Sequence, residues 1–203
     1  MKKILLPISL ICFALVGCTE KENNLKNQDI NKESNIIDKY DIKDEVIQDN
    51  ENVKELKYMD FGDFSIKIPT EFTKMSEDML ITKYPSVNRP ETVYTNEKGS
   101  VNIAFNREYI EVKDGDIKPA VESIEETFKL IGEDIKLDFY KVDYRQVGVM
   151  EVTTNAIDTK IYNKMIMFSL NGKFKTISFN CTEELKDEWL DTGDAIIKSL
   201  KFN

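Results

Sequence analysis

The residues of this chain that could do chemistry are its cysteines, Cys12, Cys18 and Cys181, and its grouped carboxylates. The carboxylates fall at Asp114-Gly115-Asp116, Glu125-Glu126, Glu133-Asp134 and Glu183-Glu184. A thiolate is a nucleophile or a metal ligand, and a carboxylate pair can serve as general acid and base. The chain has no histidine. That removes Ser–His–Asp and Cys–His catalysis, and with them the commonest metal ligand. There is no GxSxG, no Gly-rich phosphate loop and no CxxC.

The carboxylate groups fail on spacing. Neighbours on a helix point about 100° apart, so Glu125-Glu126, Glu133-Asp134 and Glu183-Glu184 read as solvated faces. Asp114-Gly115-Asp116 has the look of a calcium loop. Its position 6 is Pro119, where such a loop needs Gly, so a turn and a helix cap are expected there, and no metal or cofactor. Cys181 is the lone cysteine of the region after residue 18 and has no internal disulfide partner. With no His base, it reads as a small buried or edge residue.

Cys18 is different. It closes the segment MKKILLPISLICFALVGC, in which Lys2 and Lys3 form a positive start and Ile4–Val16 an apolar stretch of 13 residues. That length suits the apolar region of a signal peptide and is short for a membrane span. The ending Leu15-Val16-Gly17-Cys18 resembles a bacterial lipobox. The resemblance implies recognition of Leu15, Val16 and Gly17 by a signal peptidase, cleavage before Cys18, and diacylglycerol on its sulfur. Residues 1–17 are then a signal peptide. The expected address is the extracytoplasmic face of a cell membrane, with the membrane a partner through the lipid anchor.

Residues 18–57 are rich in Asn, Asp, Glu and Lys, with no Pro or Gly. Such a composition cannot bury enough apolar surface to offset chain entropy, so it reads as a disordered tether. Aromatic residues and turn signals begin at Tyr58, which makes 58–203 one domain of ordinary size. The whole chain has a formal net charge of −9 and no basic stripe, which argues against a nucleic-acid partner.

Within the domain, Phe64–Ile68 alternates apolar and polar up to Pro69 and predicts a strand. Met79-Leu80-Ile81 is the best strand of the next stretch. Tyr84-Pro85 and Arg89-Pro90 mark a loop. Thr92–Tyr94 and Val101–Phe105 flank a break containing Gly99 and predict a hairpin. Ile117, Val121, Ile124, Phe128 and Ile131 recur at helical spacing, with Asp116 as N-cap, Pro119 in the first turn and Gly132 as C-cap. Strands follow at about 136–143, 147–154, 159–170 and 173–181, the last two joined through Asn171-Gly172, a strong hairpin signal. The strand at 159–170 is apolar on both sides, so it is expected to be covered on both faces. Thr182 is expected to cap a final helix whose apolar side carries Leu185, Trp189, Gly193, Ile196, Ile197 and Leu200. The order implies an α+β fold, a three-layer α/β/α sandwich around a mainly antiparallel sheet.

Three stretches carry a family resemblance. Phe64-Ser65-Ile66-Lys67-Ile68-Pro69 is similar to the opening of Mog1/PsbP-like domains. Trp189 and Ala195 through Phe202 are similar to their closing helix and terminal strand. The antiparallel strands around Asn171-Gly172 fit between them. Glu71-Phe72 stands where the superfamily carries Gly-Trp. The resemblance implies a non-enzymatic binding or assembly module, here a monomer meeting a protein or envelope ligand. Tyr84, Arg89 and Tyr94, around the Pro-punctuated loop, are the candidate interaction surface, since exposed Tyr and Arg favour interfaces. The alternative is a surface hydrolase built on a carboxylate pair drawn from distant segments.

Overall fold

The structure, a computed structural model, describes residues 52–106 and 110–203. The signal segment, Leu15–Cys18 and nearly all of the expected tether lie outside the described residues. The strands are β1 (Leu56–Asp60), β2 (Phe64–Pro69), β3 (Thr73–Lys74), β4 (Thr92–Thr95), β5 (Val101–Phe105), β6 (Gly132–Val142), β7 (Arg145–Asn155), β8 (Lys160–Leu170), β9 (Lys173–Thr182) and β10 (Lys201–Phe202). The helices are α1 (Glu77–Lys83), α2 (Ile117–Phe128) and α3 (Lys186–Lys198).

Seven strands form one antiparallel sheet in the order β3-β4-β5-β9-β8-β7-β6, and β1, β2 and β10 form a small second sheet centred on β2. Side-chain alternation divides the large sheet into two apolar faces. Val147, Ile166, Phe168, Ile177 and Phe179 point toward the small sheet and α3, packing with Phe64, Ile66, Trp189 and Ile196. Met150, Val152, Met165 and Met167 point the other way and pack with Val121, Ile124 and Phe128 of α2. A third cluster, Met75, Tyr84, Val93 and Ala104, lies under α1 with Leu80. Both faces of β8 are therefore covered, and the α/β/α sandwich read from the strand order is the architecture observed.

The two-residue connection between β8 and β9 is Asn171-Gly172, with φ of 54° and 77°. Positive φ at both central residues gives the turn a twist that matches the strands it joins. Asn171 Nδ2 donates to Asp63 Oδ2 at 3.0 Å, which ties this tip to the small sheet.

Four local expectations are corrected. Met79-Leu80-Ile81 is part of α1, because Ser76 accepts a capping bond from the Met79 N–H (3.3 Å) and Glu77 and Asp78 favour the positive end of a helix. Gly132 opens β6. Helix α2 has already ended at Lys129, whose N–H meets the carbonyls of Glu125 and Thr127. Asp116 does occupy the N-cap position of α2, but its side chain makes no capping bond. Thr182 caps a 3-10 turn over Glu183–Leu185, and α3 starts only at Lys186. Pairing in the small sheet also begins ahead of Tyr58, since Leu56 and Lys57 pair with Pro69 and Ile68.

Candidate functional site: a polar groove beside the third helix

Helix α3 lies over β8 and β9, and the small sheet covers the far end of the same face. The near end of β6 and β7 is left open. A β-bulge between Glu133 and Lys136 bends the edge strand there, with Asp134 at φ 55°, a conformation Asp tolerates. The result is a groove of about 320 Å³ lined by Asp134, Ile135, Lys136, Glu151, Thr153, Tyr162 and Lys186.

Its floor is set by strand register. Thr153 and Tyr162 are direct partners across β7 and β8, and Glu151 and Lys164 are the next pair on the same face. Lys164 Nζ donates to Glu151 Oε1 at 2.9 Å and also to Asp194 of α3. Lys136 reaches Glu151 Oε2 at 3.5 Å. Lys164 is only 8% exposed, so its charge survives through these partners. Burial pulls its pKa down, but the hydrogen bonds and charges of Asp194 and Glu151 outweigh burial and hold it above the usual lysine value. Burial pushes the Glu151 carboxyl up, yet the bond and charge of Lys164 and the charge of Lys136 win and hold it below the usual carboxylate range.

One hydroxyl in the floor, Thr153 Oγ1, is buried without a hydrogen bond, in a residue 1% exposed. The Tyr162 hydroxyl, in a residue 2% exposed, lies against the Glu151 carboxylate and helps to hold it ionised. Burial, then the charges of Glu151 and Asp194, raise the Tyr162 pKa, so the phenol keeps its proton. The Lys186 ammonium sits 4.8 Å from the centroid of the Tyr162 ring, a cation–π contact.

The residues singled out from sequence lie elsewhere. Tyr84 is buried in the cluster with Met75 and Val93, its pKa pushed up to about 12 by burial, against an opposing hydrogen bond with Asn180. Tyr94 is half-buried on the opposite face of the sheet, edge-on to Phe105. Arg89 is half-buried and its Nη1 has no hydrogen-bond partner. The structure does not bring Tyr84, Arg89 and Tyr94 together on one exposed surface: Tyr84 packs with Val93, and Tyr94, the next residue of β4, faces the other side of the sheet. Cys181 is buried, and burial pushes its thiol up to about 12, partly countered by Lys186. Asp114 is paired with Arg145 at 3.3 Å. Among the described residues no group of three or more His, Cys, Asp or Glu is placed to hold a metal ion. None of their helices is long and apolar enough to cross a membrane.

The groove residues were missed in sequence, and one signal for them existed. Lys164 interrupts a strand otherwise read as apolar on both sides, and Glu151 interrupts Val147–Val152 in the same way. A charge at an inward position of a covered strand demands a partner.

The sandwich belongs to a fold class already described, that of PsbP-like domains. Among solved structures it is similar to the solution structure of cyanobacterial PsbP (CyanoP) from Synechocystis sp. PCC 6803, with a TM-score of 0.52 and 12% identity over 74% of this chain and 94% of that one. It is also similar to LpqN, a protein involved in cell envelope biogenesis of Mycobacterium tuberculosis, with a TM-score of 0.48 and 8% identity over 73% of this chain and 91% of that one. No family model and no curated protein sequence matches the chain.

Proposed function

We propose that this chain is a lipid-anchored, extracytoplasmic binding module that holds a ligand in the groove beside α3 and performs no chemistry on it. The anchoring rests on Leu15-Val16-Gly17-Cys18 at the end of a 13-residue apolar stretch led by two lysines. The binding rests on the groove itself, about 320 Å³ in volume and lined by Asp134, Lys136, Glu151, Tyr162 and Lys186. The hydrolase alternative needs a carboxylic acid that keeps its proton near neutral pH. Glu151, the groove carboxylate tied to Lys164 and Lys136, is held the opposite way, below the usual range. The module acts as a monomer, and its ligand is a protein or a component of the envelope.

The anchor is tested by growing cells with a clickable fatty acid. Wild type is expected to carry label and to sediment with membranes, and Cys18→Ser to do neither. Equal labelling of the two would overturn the lipoprotein reading.

A further inference from the structure

Beyond the groove, we propose that the free edge of β6 is a docking surface for a protein, which adds an extended segment of its own chain there as an eighth strand of the seven-stranded sheet. Strand β6 is last in the sheet order, and among the described residues no strand pairs with its outer side. Past the bulge, Lys136 to Val142 pair with β7 without a break, and the turn at Asp143 and Tyr144 closes on the pair Val142 and Arg145. A two-residue hairpin closes on a hydrogen-bonded pair, and such pairs alternate along an antiparallel ladder. Val142, Tyr140, Asp138 and Lys136 therefore spend their backbone groups on β7. Leu137, Phe139 and Lys141 each turn an N–H and a carbonyl outward, which makes a template for one more strand.

The opposite edge of the sheet, β3, is only two residues long and offers little to pair with. Strand β6 lacks the usual guards of an edge, since Lys136 to Val142 contain no Pro and no bulge. Ile135, Leu137 and Phe139 form a half-buried apolar row on the α2 side, while Lys136, Asp138 and Tyr140 are exposed on the other. Leu130, just ahead of the strand, and Tyr144, just after it, are large exposed apolar side chains that extend this surface in sequence. The side chains set the chemistry of the added segment. It carries apolar residues at alternate positions beside Leu137 and Phe139, a carboxylate opposite Lys136 and a cation opposite Asp138. Lys136 reaches Glu151 at 3.5 Å but stays largely exposed, so it can take a second carboxylate. A second copy of this chain fits worse. Antiparallel pairing of two β6 strands about Leu137 sets Lys136 against Asp138 but runs each strand into the other's bulge. Pairing about Phe139 avoids the bulge but sets Leu137 against Lys141 and Asp138 against Tyr140.

The test is hydrogen exchange of the full chain in detergent, resolved to single amides, with and without a synthetic peptide at millimolar concentration. The peptide Thr-Glu-Thr-Val-Lys-Val-Glu is written to lie antiparallel to β6, from Val142 back to Lys136. In the chain alone, the amides of Leu137, Phe139 and Lys141 are expected to exchange much faster than those of Asp138 and Tyr140. The peptide should slow those three several-fold and leave β9 unchanged. The same peptide N-methylated at its second, fourth and sixth residues keeps the side chains, loses the backbone donors that face the edge, and should protect nothing. Asp138→Lys, an exposed change, should weaken the parent peptide about threefold or more at an unchanged thermal midpoint. The proposal is overturned if the peptide protects none of the three amides, if the N-methylated peptide protects them equally, or if Asp138→Lys leaves the affinity unchanged. It is also overturned if the three are already protected in the chain alone, whether by a second copy or by the segment ahead of residue 52. These readouts involve neither Cys18 nor the groove, so failure at the edge is distinct from failure of the anchor or of groove binding.

Discussion

Lys164 shows how one side chain can carry a pH response. It is nearly buried and held between Glu151 and Asp194. Its folded pKa lies above the ordinary 10.5, so the stability it contributes is complete below 10.5 and is lost as pH rises through the folded value. The folded pKa of Glu151 lies below the ordinary 4.5, so its contribution is complete above 4.5 and is lost as pH falls through the folded value. Denaturant midpoints should therefore stay level between about pH 5 and pH 10 from this pair and fall on both sides. Lys164→Met should lower stability at pH 7 by about 1–3 kcal/mol, because Glu151 and Asp194 lose their shared buried partner while Glu151 keeps Lys136 and both stay partly exposed. It should also flatten the alkaline limb. An unchanged midpoint with the alkaline limb intact would show that the network contributes nothing.

At the scale of elements, the spacing between α3 and the sheet depends on Gly193. A β-carbon there would come within 2.7 Å of the Phe179 ring, so the helix packs against β9 at a distance only glycine permits. Beside it, Trp189 is 4% exposed and packs against Phe72, with ring centroids 5.6 Å apart, in agreement with the core role read from helical spacing. Gly193→Ala gains about 1 kcal/mol of helix propensity and loses about 1–3 kcal/mol to overpacking. A net loss of about 0–2 kcal/mol is expected in chemical unfolding. A gain would mean that Phe179 moves aside freely. The elements legible in sequence were those with a sustained period or a defined turn: β2, α2, the β8–β9 hairpin and the Trp189 face of α3. Helix α1 was not legible, because three apolar residues in a row fit a strand and a short helix equally. The pair Ser76 and Glu77 was the only local sign of its start, together with Lys83 near its end.

For the whole molecule, the register of the small sheet decides where the domain begins. The change of composition at Tyr58 suggests a start there, but Leu56 packs against the main core and the Lys54 N–H donates to Thr192 Oγ1 at 3.0 Å. Composition cannot reveal this, since a two-residue extension of an edge strand carries no period of its own. A chain starting at 58 should be about 1–3 kcal/mol less stable than one starting at 52, from lost burial of Leu56 and an unpaired buried Thr192. Equal thermal unfolding of the two would place the boundary back at Tyr58. The groove was less legible than the fold. Its residues come from β6, β7, β8 and the start of α3, and only the sheet register and the placement of α3 bring them together.

That same small sheet gives the molecule a near end and a far end. Leu56 pairs with Pro69 at one end of β2, and Phe202 pairs with Phe64 at the other. Lys54 grips Glu188 in the first turn of α3 at 2.7 Å, two residues from Lys186 in the groove wall. The chain thus enters the fold at the end where the groove opens, while Asn203 closes the opposite end against Gly62. For a chain held to a bilayer at Cys18, cargo in the groove rides on the side of the domain nearest its leash. On the lipid-anchored reading proposed above, the groove therefore sits at the end of the domain that the segment from Cys18 enters, and the Asn203 end lies away from that entry.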